Sequence, residues 1–419
     1  MAPAQVHFVG HLLTIASLAW AAALFFGIVR AFCGFPSALA WTLAAVATPV
    51  FAGQAAALGQ DPICAAILMQ SLYFFFRNRP GWALGTAGFA CTAKITALIL
   101  LPVYAGYYFI AAWADRSDRR RRLIIAAAAT VLTLAIYLLY KRFNPIGEAG
   151  AGIFNLGPIL IWRHFKYFFP ILFPVMAAGT VLLFRQIRRE TLKKFLLSPK
   201  GEFDRKKILL PVLLVWGFFA AYFLFSAPQL PRYAVIVVLP LMIYVAYAAE
   251  QSFGARAVPA ALVLFGINLC SLQGLLFAPL PPYYAADPSQ LERSREFLNV
   301  IEADRRICRQ IETEYSDIPI VCKWPHVQML TVPEFGYVEK PLPNIINFGL
   351  FPKYAPARKF DPAGLPADLL WLYAPNSNDL MFGPSFMPRP GIEPVAEALN
   401  PATGELNALL FRIPPGIRP

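Results

Sequence analysis

Residues 45–102 read AVATPVFAGQAAALGQDPICAAILMQSLYFFFRNRPGWALGTAGFACTAKITALILLP. Apolar runs at 62–76 and 81–93, and the start of another at 95–113, are parted only by a short basic turn with Arg77 and Arg79 and by a single Lys94. A helix that crosses a bilayer needs roughly 20 apolar residues. The same pattern extends outward to give candidate spans at 12–29, 36–53, 62–76, 81–93, 95–113, 123–140, 167–184, 208–227, 233–249 and 257–279. Two of the ten are short. Composition agrees: the chain is 58% hydrophobic and 15% charged, with a mean hydropathy of +0.53. Soluble domains carry roughly 45–50% apolar and about 25% charged residues, so a single soluble domain is excluded. An aromatic content of 14% excludes disorder over most of the length.

The net charge of +13 belongs to the membrane part of the chain. Residues 1–280 hold 24 Lys/Arg against 8 Asp/Glu, and residues 281–419 hold 13 against 16. Between the spans, one set of alternating loops carries 18 basic residues: Arg30, Arg77, Arg79, Arg116, Arg119 to Arg122, nine between 185 and 207, and Arg256. The other set carries six: Lys94, Lys141, Arg142, Arg163, Lys166 and Arg232. Basic loops stay in the cytoplasm, which puts the first set inside. The charge is therefore topological, and nucleic acid is not an expected partner. Two domains are expected: residues 1–280 in the cytoplasmic (inner) membrane and residues 281–419 on its outer, periplasmic side.

Polar groups on the outer face are few. The outward loops of the membrane part hold two carboxylates, Asp61 and Glu148. Asp61 precedes Pro62 at a helix start, where Asp caps and Pro is well tolerated; it reads either as that cap or as a carboxylate beside a substrate cleft. Lys94 lies among apolar neighbours at the tip of a helical pair. It either snorkels to the headgroups or faces a pathway or partner, because an intramembrane charge costs on the order of 3 kcal/mol. Arg232 and Tyr233 follow the outward turn 226–231. Arg grips phosphate through two parallel hydrogen bonds and Lys acts as a point charge, so the set suits a phosphate-bearing lipid beside an acid. The loop 141–166 holds Glu148 in a Gly-rich stretch, then an apolar run with Trp162 that suggests an interfacial helix. Phosphate-loop, zinc-protease, nucleophile-elbow and paired-cysteine motifs are absent from the sequence. His7 and His11, four apart, are too few for a metal site. Repeated halves with paired broken helices, the mark of many transporters, are also not seen.

Residues 45–102 resemble the core of the GT-C membrane glycosyltransferases of the protein O-mannosyltransferase and lipid A aminoarabinose transferase type. The shared features are a Pro in the outgoing helix, a polar outer segment ending in Asp61, a short basic turn, a small-residue helix, and an outer Lys94. Pro231-Arg232-Tyr233, followed by a helix with Pro240, resembles a later segment of that family. The resemblance covers roughly residues 10–280. It implies transfer of a sugar from a polyprenyl-phosphate carrier to a lipid, glycan or protein acceptor on the outer face. It further implies Asp61 near the acceptor or a divalent metal ion, and Lys94, Arg232 and Tyr233 at the carrier phosphate. Membrane lipids are expected partners. The family keeps its main acidic motif after its first spanning helix, and the resemblance here begins at the second. The chain is accordingly expected to lack one N-terminal helix, with Glu148 as the alternative base. A non-catalytic protein of that fold, or a transporter or flippase, is the competing expectation.

The Pro-rich segment 281–287 reads as a linker. Beyond it, an apolar stripe through Leu291, Phe297, Leu298, Ile301, Ile307, Cys308 and Ile311 predicts an amphipathic helix over 288–313. Runs at 318–322, 369–373 and 408–413 predict strands, giving a small α/β domain that either shapes the acceptor site or caps the membrane domain. Cys308 and Cys322, the only cysteines after residue 280, are expected to pair, as periplasmic proteins allow.

Overall fold

The computed structural model describes residues 3–55, 60–114, 118–143, 171–190, 205–225, 234–272, 297–323, 325–347, 358–359, 366, 368–374, 392–399, 401, 404 and 406–413. The chain divides into two compact units, His11–Ala278 and, with Met1–Gly10, Pro279–Pro419.

The first unit is helical. In chain order the helices are α1 (Pro3–Val29), α2 (Phe35–Val46), α3 (Pro49–Gly53), α4 (Gln60–Phe76), α5 (Pro80–Ala93), α6 (Leu100–Ala114), α7 (Arg119–Phe143), α8 (Leu172–Glu190), α9 (Leu209–Phe225), α10 (Val235–Phe253) and α11 (Ala257–Leu272). Each of the ten apolar segments carries helix over its described residues, but two are not single rods. The segment 36–53 breaks at Thr48, because Pro49 has no N–H to continue the ladder. The segment 95–113 begins as a tighter 3₁₀ turn, Ile95–Ile99. By length and apolarity, four stretches among the described residues suffice to cross a membrane: Phe8–Val29, Ile95–Ala114, Arg119–Arg142 and Val235–Leu272. The last is a hairpin, reversed at Gly254, whose φ of 55° is one that L side chains rarely adopt.

Burial separates the helices by role. Every side chain of α10 from Val235 to Ala249 is buried, as expected of a helix apolar all round and enclosed by others. Helix α7 instead exposes Ile124, Val131, Leu134, Leu138 and Leu139. A row of that size does not face water in a stable protein; it faces lipid. The chain is a largely α-helical, multi-pass membrane protein.

Helices α4 and α5 form an antiparallel hairpin. Asn78, at φ 59°, ends α4 in the left-handed conformation that Asn tolerates. Arg79 N–H donates to Phe74 O at 2.9 Å and Asn78 N–H to Phe75 O at 3.0 Å, the paired closure of a Schellman motif. Ser71 Oγ donates to Ala83 O at 2.6 Å and lies 2.9 Å from Tyr104 Oη, tying α4 to α5 and α6.

The second unit is built on a six-stranded sheet. Its strands are β1 (Ile320–Cys322), β2 (Ile345–Asn347), β3 (Arg358–Lys359), β4 (Leu369–Tyr373), β5 (Pro394–Leu399) and β6 (Leu406–Ile413), in the order β3-β2-β1-β4-β6-β5. Strands β3, β2, β1 and β4 run parallel, and β6 is antiparallel to both β4 and β5. Helix α12 (Phe297–Glu314) and the short α13 (His326–Thr331) complete it. Leu370, Leu372 and Leu410 join one apolar cluster with α12, while Leu369, Trp371 and Phe411 form another. The alternation is the two-residue period of a sheet with both faces covered.

Three expectations are corrected here. The buried face of α12 runs Val300, Ala303, Asp304, Ile307, Cys308, Ile311, so a carboxylate replaces Ile301 in the stripe. Strands β2, β3 and β5 were not expected. Cys308 and Cys322 are free, buried thiols rather than a disulfide. Burial, and for Cys308 also the nearby Asp304 charge, holds both thiols well above the ordinary range. They are therefore protonated and poor nucleophiles.

Candidate functional site

Asp61 lies in the first turn of α4, directly before Pro62. Lys94 sits where α5 stops: its own backbone is extended (φ −158°, ψ 130°), and its N–H still donates to Ala90 O at 3.0 Å. The chain resumes at once as the Ile95–Ile99 turn, with Ala97 N–H on Lys94 O at 3.0 Å. The hairpin closed at Asn78 thus returns Lys94 to the end at which α4 began. There the Lys94 ammonium donates to Asp61 Oδ1 as a hydrogen-bonded ion pair. The two side chains are 18% and 6% exposed. The Lys94 charge thus meets a carboxylate, Asp61, in the first turn of α4.

Such a pair is costly to bury and strong once formed. Desolvating each ion costs several kcal/mol, which the mutual attraction in low dielectric offsets only at close range. Removal of one partner leaves an uncompensated charge. The pair brings one positive and one negative charge together at the start of α4.

More polar groups lie near this end of the bundle. The break at Thr48 leaves Ala44 O without the usual helical donor, because Thr48 N–H turns to Ala45 O at 3.2 Å. Asn268 on α11 supplies the missing bond, donating through Nδ2 to Ala44 O at 2.8 Å and to Thr48 Oγ1 at 3.3 Å. Asn268 Oδ1, Gln54 Nε2 at the end of α3, and Thr96 Oγ1 just after Lys94 are buried and have no hydrogen-bond partner among the described residues. Buried orphans of this kind are rare and call for a reason. Sequence reading missed all three, although an Asn inside an apolar segment is itself a signal.

Glu148, Arg232 and Tyr233 lie outside the described residues, as does the Trp162 run of loop 141–166. Among the described residues no three His, Cys, Asp or Glu side chains group as a metal cage would require. Asp61 is engaged by an ammonium, so the described residues do not fit a divalent ion at this place.

The second unit has its own buried polar cluster. Asp304 Oδ1 accepts from Asn407 Nδ2 at 2.7 Å and lies 3.1 Å from His326 Nε2. All three residues are buried. The cluster joins α12, α13 and β6.

No family model matches the chain, and no curated protein matches it. Two crystal structures of ArnT from Cupriavidus metallidurans do. The one bound to undecaprenyl phosphate aligns with a TM-score of 0.50 at 15% identity, and the apo one with 0.50 at 16%. Both alignments cover 96% of this chain and 83% of the other. At that identity the likeness is one of fold: the chain has an ArnT-type architecture.

Proposed function

We propose that the chain is a glycosyltransferase that moves a sugar from a polyprenyl-phosphate carrier to an acceptor on the outer face of the inner membrane. It would cross the membrane ten times, with residues 281–419 outside. The observation that carries this reading is the Asp61–Lys94 pair, built at one end of an ArnT-type fold. One of the similar ArnT structures holds undecaprenyl phosphate, a ligand whose anionic head matches what Lys94 offers.

In the proposed reaction an acceptor oxygen or nitrogen attacks the anomeric carbon. The bond from that carbon to the phosphate oxygen breaks, and polyprenyl phosphate leaves. The acceptor proton passes to a carboxylate. Lys94, with Arg232 and Tyr233, would hold the departing phosphate, and a cation aimed at developing charge is an effective catalytic device. As Lys94 turns to the phosphate, Asp61 becomes available to orient or deprotonate the acceptor. Glu148 is the alternative base.

The test is purified chain in nanodiscs, given a labelled polyprenyl-phosphate sugar and membrane extract as acceptor source. Transfer in the wild type, a fall of about 100-fold or more in Asp61→Asn, and weakened polyprenyl phosphate binding in Lys94→Ala are expected. Undiminished transfer in both variants would overturn the site assignment. Tight carrier binding without transfer would favour the non-catalytic reading, which draws on the carboxylate being neutralised by Lys94.

A further inference from the structure

A cavity lies at the other end of the first unit. It has a volume of about 680 Å³. Cations reach it from four separate places in the chain: Arg30 after α1, Arg77 in the α4–α5 turn, Arg121 and Arg122 in the first turn of α7, and Lys206 and Lys207 ahead of α9. Asp118 is the single carboxylate among its described lining residues, 3.9 Å from Arg122 Nη2. Arg30, Arg77 and Arg121 form no ion pair among the described residues. Arg30 Nη1 donates to Cys33 O at 3.1 Å, which satisfies a hydrogen bond without cancelling charge.

Membrane topology needs basic residues in these loops, but it does not need them to converge. A sidedness signal works equally well spread over an open surface. Here the cations turn into one concavity, and self-repulsion among them opposes that arrangement. Lys207 is held there although buried, its ammonium donating to Phe76 O at 2.8 Å. Part of the remaining wall is aromatic: the Phe75 ring packs edge-on against Tyr107 at 4.9 Å, with Tyr108 at 6.2 Å. A concave site with a cationic rim and an aromatic wall matches an amphiphile with an anionic head.

We infer that this cavity is a binding site for a phosphate-bearing ligand of the basic face, which the charge distribution makes the inner face. The cations hold the phosphate and the aromatic wall takes the apolar part. Basic pockets between spanning helices on that side hold anionic lipid headgroups by the same chemistry. The site is separate from the Asp61–Lys94 end and does not depend on the proposed transfer reaction.

The test uses delipidated full-length protein and native mass spectrometry with phosphatidylglycerol, with inorganic pyrophosphate as a soluble competitor. The Arg77→Ala/Arg121→Ala double variant should bind the lipid at least about tenfold more weakly. Arg185→Ala/Arg188→Ala removes as much charge from exposed basic-face positions outside the cavity lining, and should change binding less than about twofold. Arg77→Lys/Arg121→Lys should recover most of the binding if charge rather than folding is at issue. Equal loss in the two alanine pairs, or no loss in either, would overturn the inference. Displacement of the lipid by pyrophosphate would identify phosphate alone as the determinant, and resistance to it would identify a lipid as the source; both support the site.

Discussion

At the scale of single residues, the Asp61–Lys94 pair makes the sharpest demand. Asp61→Asn or Lys94→Gln alone removes one partner of a nearly buried ion pair, and each should lower stability by about 3 kcal/mol. The double substitution removes both charges and should cost clearly less than the sum of the two. Thermal unfolding of the four proteins in one detergent measures that coupling; additive losses would mean the pair does not exist. Asp304 makes the analogous demand in the second unit. Asp304→Ala removes the carboxylate that Asn407 and His326 share and should destabilise by about 2–3 kcal/mol, read as increased proteolysis of residues 297–413 in the intact protein. The thiols of Cys308 and Cys322 give a pH test. Their folded values lie above the ordinary 9.0 of an unfolded thiol. They therefore favour folding below pH 9, and that contribution is lost as pH rises through the folded values. Alkylation by iodoacetamide at pH 8 should be slow in the native protein and fast in denaturant; rapid native labelling would show the thiols to be accessible.

At the scale of elements, the packing of α8 on α10 depends on one missing side chain. A Cβ at Gly179 would lie 2.6 Å from Val245 Cγ2, 3.0 Å from Tyr244 Cε2 and 3.4 Å from the Val245 Cα. Small residues let spanning helices approach this closely. Gly179→Val should push the helices apart and cost about 1–3 kcal/mol, as overpacking does; a melting temperature equal to wild type would contradict the close contact. The α2–α3 break makes a similar case, since Asn268→Leu would leave Ala44 O buried without its strongest donor. Existence of the helices was legible in the sequence because apolar runs report burial directly. Their interruptions were not: 36–53 reads as one span although Pro49 lies inside it, and nothing local announced that Asn268, some 220 positions away, would mend the break. In the sheet, 369–373 was legible as a continuous apolar run. Strand β5, PVAEAL, was not, because it is half exposed and begins at Pro394. The α12 stripe was misread at one place, since a buried Asp304 is explicable only through His326 and Asn407, which arrive from elsewhere in the chain.

At the scale of the whole molecule, sequence and structure divide the argument. The candidate site was legible in part: Asp61 and Lys94 were each marked by charge in an apolar setting, yet only the α4–α5 hairpin shows them to be partners. The basic cavity was invisible, because a topological reading already accounted for every one of its cations and only their convergence is new. Sidedness rests on the same cations. Eighteen basic residues against six on alternating loops is a bias that fixes orientation when loops are short. The exposed apolar rows of α7 require lipid around the helices that carry those loops. If the basic loops are inside, Asn78 in the α4–α5 turn faces the cytoplasm and the connection from α3 to α4 faces out. A cysteine introduced as Asn78→Cys, in a background where the native cysteines are Ala or Ser, should react with a membrane-impermeant maleimide only after the inner membrane is opened. A reporter that works only outside the cytoplasm, fused after residue 285, should be active in the same cells. The two assays probe opposite faces, so an inverted protein reverses both. Labelling of Asn78→Cys in intact spheroplasts together with a silent reporter would place Asp61 and Lys94 on the cytoplasmic side, where a lipid-linked sugar on the outer leaflet could not reach them.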